Sequence, residues 1–295
     1  MAESIAPDDP AASSRGAGRR AQSDIYRAGI SGQRTRVPVD PAALEAAARK
    51  ALSREAFAYI AGGAGAERTV AANRAAFERW QVWPRPLRDV SSRDLSVELL
   101  GVRRPTPLLL APLGVMELAH PDADLAVARA AASLGIPHTL SNQASFPIEE
   151  TATAAPGGSR LFQLYWSASD DLNASLLQRA EASGCEAIVV TLDTHLLGWR
   201  TRDLDLAYLP FTRGLGIAQY TSDPVFQQLV RERARGTGEG GDAAKVRVTA
   251  KTVAAGISIA RKGAALTGAG LRESLRSPLP RAAVETFLDV FSTPA

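Results

Sequence analysis

The sequence predicts an α/β fold in which parallel strands alternate with crossover helices, and three observations support this prediction. Short apolar runs typical of strands alternate with helical patterns through residues 105–205. The runs begin roughly 23 to 30 residues apart, which is the spacing that a strand, a helix and two loops require. Polar side chains follow successive runs, where parallel strands present a ligand face.

Each strand-type run is followed by a helical pattern or a loop. The helix over residues 122–134 is predicted to end at Gly135, because glycine readily adopts the left-handed conformation that closes helices. A short helix is predicted from about Ile148, and Asp170 is expected to cap a further helix that ends at Gly184. The four strand-type runs are LLLAP (108–112), HTLSN (138–142), LFQLYW (161–166) and AIVVTLD (187–193).

The regions on either side of these strands have simpler patterns. Helical periodicity indicates helices near 41–61 and 67–79, and a short hairpin is expected around Leu95–Leu100. Residues 1–22 lack an apolar run, so we expect a disordered leader rather than a secretory signal. A flexible tail with a terminal helix is expected over residues 236–295, because Gly and Ala dominate its first part. The predicted divisions of the chain are 1–22, 23–104, 105–235 and 236–295.

The composition excludes several classes of protein. The apolar fraction of 45% and the charged fraction of 22% match a soluble globular protein rather than a disordered chain or a collagen. The single cysteine, Cys185, cannot form an internal disulfide, so a reducing, cytoplasmic location is expected. The longest uncharged apolar stretch, residues 105–116, is too short to cross a bilayer. A net charge of +3 without a basic stripe gives no reason to expect nucleic-acid binding.

Polar groups cluster where the predicted strands end. Hydroxyl and amide groups at four successive strand ends indicate a planar polar ligand that lies across them. A simpler interpretation stays open, because strand ends also meet water and are polar for that reason alone. The groups are Pro112–Gly114, Ser141–Asn142, Gln163 with Tyr165, and Thr191 with Asp193.

Five stretches of the chain resemble the family of FMN-dependent 2-hydroxy acid oxidases and dehydrogenases. Their number, order and spacing make the resemblance specific, and it extends from Ser23 to about Val230 and again over residues 275–290. Within this family, residues 197–226 (LGWRTRDLDLAYLPFTRGLGIAQYTSDPVF) are most similar to lactate 2-monooxygenase. The five stretches are residues 58–80, 84–101, 109–135, 162–166 and 191–211.

The resemblance implies a (β/α)8 barrel of the TIM-barrel type with FMN at the carboxyl ends of the strands. It also implies oxidation of a small, lactate-like L-2-hydroxy acid. The hydride equivalent passes to flavin N5, and O2 or another acceptor reoxidises the flavin. In the monooxygenase branch of the family, the keto product stays bound and is decarboxylated oxidatively.

Carried over one position at a time, the resemblance assigns three residues to the substrate. Tyr59 would donate its hydroxyl to the substrate carboxylate, which suits a phenol that stays neutral at pH 7. Arg200 would supply a cation whose planar fork matches the same carboxylate. Tyr165 would act in catalysis as well as binding, by contacting the oxygen that becomes a keto group. The neighbouring Arg202 is expected to be an ordinary surface arginine.

The resemblance assigns five further residues to the cofactor. Leu113 and Gly114 would bring backbone groups close to the flavin ring, and the missing side chain of Gly114 would permit that approach. Ser141 and Gln163 would hydrogen-bond the pyrimidine edge of the ring, and Thr191 would contact the same edge. No metal is implied.

The resemblance also predicts that this chain carries only the first part of the barrel. About four strands are present, whereas a full barrel typically needs about 250 residues. The family's later strands carry a lysine beside the flavin, the catalytic histidine, a second arginine and the phosphate site, and none has a counterpart here. His195 follows the last predicted strand and is the histidine best placed to substitute as the base. We therefore expect the chain alone to be inactive, or nearly so.

Other interpretations remain open from the sequence alone. The chain could be a non-catalytic truncated fragment or a binding module. A nucleotide-binding domain unrelated to flavin is disfavoured, because GGAG (62–65) follows a helix rather than a strand. The expected partners are a small 2-hydroxy acid and O2, and either a homo-oligomer or a complementing carboxyl-terminal chain is compatible with the sequence.

Overall fold

The computed structural model describes residues 17–90, 92–194, 196–236 and 279–292. The chain divides into two compact units, residues 1–57 and 58–295. No helix in the described ranges is long and apolar enough to cross a membrane.

The first unit consists of helices, the last of which runs past the boundary at residue 57, so that its residues 58–61 belong to the second unit. Helix α1 (Ala17–Ile30) begins inside the predicted leader, because its first turns are rich in good helix formers such as Ala, Arg and Gln. The rest of that leader lies outside the described residues. The single helix predicted over residues 41–61 is wrong, because two helices, α2 (Pro41–Ala51) and α3 (Arg54–Ala61), occupy this stretch. Ser53 starts the second one, accepting a hydrogen bond from the Ala56 amide at 3.1 Å.

The second unit opens with a helix and a hairpin. Helix α4 (Arg68–Ala76) continues into a 3₁₀ turn at residues 77–79, as the sequence predicts. Strands β1 (Val97–Leu99) and β2 (Val102–Arg104) pair in antiparallel fashion. The two residues of their turn, Leu100 and Gly101, both have positive φ, which is the twist that two-residue hairpins require.

A parallel sheet in the order β3-β4-β5 forms the centre of the second unit. Its strands are β3 (His138–Leu140), β4 (Arg160–Tyr165) and β5 (Ala187–Thr191). The predicted strand at 108–112 contributes only one parallel bridge, between Leu110 and His138. Pro107 before the run and Pro112 at its end lack the amide donors that a longer ladder would need.

Helices connect and cover these strands. Gly135 directly follows the helix that ends at Leu134, and Gly184 lies two residues past the helix that ends at Ala182; both have left-handed backbones, as the sequence predicts. Ser169, not Asp170, caps the helix after β4, because the Ser169 hydroxyl accepts the Leu172 amide at 3.3 Å. The helices are α5 (Ala123–Leu134), α6 (Ile148–Ala154), α7 (Asp170–Ala182), α8 (Thr201–Asp205), α9 (Ala218–Thr221), α10 (Pro224–Gly236) and α11 (Leu279–Ser292).

Aromatic side chains dominate the core beside the sheet. The terminal helix α11 buries Phe287 completely, with its ring centre 5.2 Å from that of Phe211 and 5.0 Å from that of Tyr220. Phe226 of α10 meets Tyr220 edge to face. These contacts fasten α11 to the helices that follow β5, so the helix predicted near the chain's end is part of the core.

A single arginine joins the helices on one side of the sheet. Arg179 makes a bidentate pair with Glu149 at 2.8 and 2.9 Å. It also donates to the Gln219 carbonyl at 2.7 Å, to Ser222 Oγ at 2.7 Å and to the buried Asp223 carboxylate at 3.2 Å. Arg179 therefore connects α6 and α7 with the start of α10.

Strand β5 differs from its neighbours in exposure. Ile188, Val189 and Val190 are 38%, 36% and 42% exposed, whereas Phe162 and Leu164 of β4 are buried. Among the described residues, no strand pairs with the outer edge of β5.

Candidate functional site

Three polar side chains form a continuous hydrogen-bonded row across the carboxyl ends of β3, β4 and β5, which we call the strand-end network. Ser141 Oγ donates to Gln163 Oε1 at 3.2 Å, and Gln163 Nε2 donates to Thr191 Oγ1 at 3.0 Å. Gln163 Oε1 also accepts the Asn142 amide at 3.1 Å. The sequence predicts that these residues lie together, and the parallel register explains it. Leu140 lies opposite Phe162, so Ser141 follows beside Gln163, and Gln163 lies opposite Val189, two residues before Thr191 on the same face.

The loop before α5 lies against this network. The Val115 amide donates to the Gln143 carbonyl at 2.8 Å, and the Gln143 amide donates to Ser141 Oγ at 3.0 Å. A Cβ added to Gly114 would come within 3.1 Å of the Gln143 side chain, so glycine permits this close approach of two loops. Leu113, the neighbouring residue, is 58% exposed.

Tyr59 and Arg200 meet although 141 residues separate them in sequence. The Arg200 guanidinium carbon lies 5.0 Å from the centre of the Tyr59 ring, and its Nη2 donates to the Tyr59 carbonyl. Burial raises the pKa of Tyr59 to about 12, although the Arg200 charge acts in the opposite direction. The phenol is therefore a neutral hydrogen-bond donor at physiological pH.

Tyr165 connects this pair with the strand ends. It is the last residue of β4, and it lies close enough to Tyr59 to contribute to the raised pKa of that phenol. Burial also raises the pKa of Tyr165, with a hydrogen bond to Thr194 lowering it and the Asp193 charge raising it. Tyr165 is thus within electrostatic range of Tyr59, which Arg200 contacts directly.

The turn GGAG (62–65) follows α3 and fixes the loop that carries Arg200. The Gly65 amide donates to the Trp199 carbonyl at 2.8 Å, and the Gly63 amide donates to Glu67 Oε1 at 3.0 Å. Arg202, whose side chain is 38% exposed, pairs with the second oxygen of Glu67 and so adds a contact from this turn to the same loop. The amides of Gly63 and Gly65 are satisfied within the protein, which is the arrangement of a turn rather than a phosphate cradle.

The sequence reasoning missed two carboxylates that support this site. Asp203 is buried and accepts a hydrogen bond from Arg200 Nε, and Glu67 holds both Gly63 and Arg202. For Asp203, the sequence signal was its three-residue spacing from Arg200 on a helical turn. The sequence carried no local signal for Glu67.

Neither of the two described histidines joins the site. His138 begins β3, at the end away from Ser141, and burial followed by the charge of Arg160 lowers its pKa to about 4. His120 lies in a loop, where its Nδ1 accepts the Asp122 amide at 3.1 Å. His195, the predicted substitute for the base, lies outside the described residues.

The strand-end network fits the edge of a planar heterocycle that carries both donors and acceptors. Gln163 is 1% exposed and uses its amide oxygen twice, which fixes the orientation of its amide group. Gln163 Nε2 donates one of its two hydrogens to Thr191, so the other can be donated to a ligand. The Thr191 hydroxyl accepts this bond and can still donate its own hydrogen. The row therefore offers oriented donors beside the polar oxygen atoms of Ser141 and Thr191, as the pyrimidine edge of a flavin requires.

Comparison with known proteins gives a consistent result. The family model "FMN-dependent dehydrogenase" matches residues 48–263. The FMN-dependent alpha-hydroxy acid dehydrogenase qulF of Penicillium citrinum is 43% identical over 207 residues, which cover 70% of this chain and 52% of the relative. The L-lactate oxidase of Lysinibacillus sphaericus (strain C3-41) is 42% identical over 189 residues, which cover 64% of this chain and 49% of the relative.

A solved structure supports the same grouping. The crystal structure of a lactate oxidase from Pediococcus acidilactici superposes with a TM-score of 0.56 at 28% identity, covering 78% of this chain and 58% of that chain. The chain spans about half the length of the curated relatives it matches. FMN is the cofactor that gives the matching family model its name. The family match over residues 48–263, the two relatives and the superposition together establish that this chain belongs to the FMN-dependent dehydrogenase family.

Proposed function

We propose that this chain supplies the flavin-edge contacts and the carboxylate-binding pair for FMN-dependent oxidation of a small, lactate-like L-2-hydroxy acid. The observation that carries the proposal is the proximity of two groupings with complementary chemistry. The strand-end network ends at Thr191, opposite Tyr165 in the sheet, and Tyr165 is near enough to Tyr59, which Arg200 contacts, to influence its pKa. The names of the relatives, an alpha-hydroxy acid dehydrogenase and an L-lactate oxidase, favour this substrate class.

In this proposal, Arg200 and Tyr59 bind the substrate carboxylate. A guanidinium carries a permanent charge and donates two parallel hydrogen bonds to a carboxylate. The Tyr59 hydroxyl adds a neutral donor, because its raised pKa keeps it protonated. Tyr165, also protonated, donates to the oxygen on the reacting carbon and orients that carbon toward the cofactor.

Ser141, Gln163 and Thr191 would hold the pyrimidine edge of FMN, with the backbone at Leu113 and Gly114 near the ring. When bound, the flavin supplies the two-electron oxidant for the substrate carbon, and O2 is the proposed acceptor that reoxidises it. A lactate 2-monooxygenase-like outcome, in which the product is decarboxylated, is the subtype that we propose.

The described residues do not present a base for the substrate hydroxyl. His138 is buried at the far end of β3, and His120 is engaged by a backbone amide in its loop. General-base catalysis typically contributes a factor of about 10² to 10⁴. We therefore propose that this chain alone turns over very slowly, and that a complementing carboxyl-terminal chain would supply the missing groups.

The architecture in this proposal is a partial (β/α)8 barrel over residues 105–235, with helices and a hairpin over 23–104. The parallel β3-β4-β5 order and the bridge at Leu110 support it. The proposed location is cytoplasmic, on the basis of the single cysteine.

The test is a titration of the purified full chain with FMN, followed by anaerobic addition of L-lactate. We expect saturable quenching of flavin fluorescence by the wild type and bleaching of the flavin at about 10⁻² or less of a typical enzymatic rate. Riboflavin serves as a control for binding of the ring alone. No quenching would refute flavin binding, and fast bleaching would refute the proposal that the base is missing.

A further inference from the structure

The Arg200 side chain is held by contacts to two different elements. Its Nε donates to Asp203 Oδ2 in α8, and its Nη2 donates to the carbonyl of Tyr59 in α3. A guanidinium has five N–H donors, and these two bonds use only two of them. The remaining N–H groups lie on the two Nη atoms, which form the side of the fork that best matches a carboxylate.

Asp203 is a buried carboxylate that lies beside Arg200. Its side chain is 8% exposed, whereas that of Arg200 is 28% exposed. Asp203 Oδ1 is buried and has no hydrogen-bond partner among the described residues. A buried carboxylate is costly unless it is paired, and Arg200 is the cation that pairs with it here.

The geometry explains why the carboxylate belongs at this position. Arg200 immediately precedes α8, and Asp203 is the third residue of that helix, so the two side chains lie on the same face of one turn. Asp205, two residues further along the helix, is exposed. The pairing therefore depends on the position of Asp203 and not on acidity of the segment in general.

We propose that Asp203 is the positioning residue for Arg200: its carboxylate fixes Nε so that the Nη edge of the guanidinium faces the substrate carboxylate. This inference rests on the proposed function, because it assumes that Arg200 binds a carboxylate. Asp203 itself touches neither substrate nor cofactor. By holding Nε, Asp203 restricts rotation of the Arg200 side chain, so the guanidinium is already oriented before the ligand binds.

The test compares a carboxylate ligand with its uncharged isostere on the full chain saturated with FMN. Pyruvate and pyruvamide serve as ligands, because neither is a 2-hydroxy compound that the flavin could oxidise, and calorimetry gives both affinities. Asp203→Ala should weaken pyruvate binding by about tenfold or more, and leave pyruvamide binding within about twofold. Asp203→Asn should stay within about threefold of wild type for both ligands, because its amide oxygen still accepts from Nε. Asp205→Ala is the matched control and should change neither affinity.

Two results would overturn the assignment of Asp203. Unchanged pyruvate affinity in Asp203→Ala would remove the positioning role, and equal losses for both ligands would indicate a purely structural one. A wild type that binds pyruvate no better than pyruvamide would instead refute carboxylate recognition by Arg200.

A second measurement decides the role of Asp203 without any ligand. The Nε–H signal of Arg200 in a nitrogen-15 spectrum, assigned by its disappearance in Arg200→Lys, should exchange slowly with solvent in the wild type. It should exchange at least about tenfold faster in Asp203→Ala and stay slow in Asp205→Ala. Where Asp203→Ala does not fold, a wild-type Nε–H that exchanges as fast as that of free arginine would overturn the proposal.

Discussion

Replacement of Gln163 by leucine is the most direct test of the strand-end network. The substitution removes three hydrogen bonds at once, those to Ser141, the Asn142 amide and Thr191. Leucine has a similar volume, so the change leaves little cavity in a position that is 1% exposed. The perturbation is therefore largely confined to polar contacts.

The expected cost follows from the burial of each partner. The Asn142 amide is buried and would lose its acceptor, which costs about 1–3 kcal/mol. Thr191 is half-buried and can turn its hydroxyl toward water, and Ser141 still accepts the Gln143 amide, so these two losses add about 1 kcal/mol together. The free energy of unfolding should fall by about 2–4 kcal/mol.

Urea unfolding of the full chain, followed by circular dichroism, measures this change. Gln228→Leu is the matched control, because Gln228 is exposed on α10 and hydrogen-bonds only Glu232 among the described residues. FMN affinity, measured where both variants are folded, should also fall by about tenfold in Gln163→Leu and stay unchanged in the control. A loss of stability below 1 kcal/mol, or unchanged FMN affinity in Gln163→Leu, would refute the reasoning.

Three further predictions follow from other groups. Burial raises the pKa of Asp124 to about 6, above its unfolded value of 3.8, so the free energy of unfolding should decline between about pH 4 and 6. In thermal unfolding, Asp124→Asn should remove this decline and gain up to about 3 kcal/mol at pH 8, unlike the exposed control Asp171→Asn. Arg179→Met should lower the free energy of unfolding by about 2–4 kcal/mol in urea, and a loss below 0.5 kcal/mol would contradict its connecting role. Glu67→Gln should speed hydrogen exchange of the Gly63 amide about tenfold by weakening its acceptor and the Arg202 pair; unchanged exchange would argue against that contact.

Local patterns predicted much of the fold, because they report on interactions between near neighbours. Glycines 135 and 184 mark helix ends through their own backbone freedom, and short apolar runs mark β4 and β5. The helix break at Ser53 and the N-cap at Ser169 were not predicted. Several neighbouring residues can each serve as the N-cap of a helix, and the sequence alone does not select among them.

The candidate site was predictable only in part. Ser141, Gln163 and Thr191 could be placed together, because parallel strands bring their carboxyl ends to one edge. The contact between Tyr59 and Arg200 could not be predicted from local patterns, because 141 positions separate the two residues. Long-range contacts of this kind depend on how loops pack, which a single sequence does not encode in periodic form.

The exposed β5 strand has a practical consequence for handling the protein. Its backbone donors and acceptors on one side lack partners among the described residues, and Ile188, Val189 and Val190 are accessible beside them. An exposed strand edge of this kind can pair with the same edge of another molecule. Concentrated preparations should therefore aggregate at temperatures well below that at which the core unfolds. Refolding in dilute solution, or a lysine at position 189, should extend shelf life without altering the interior.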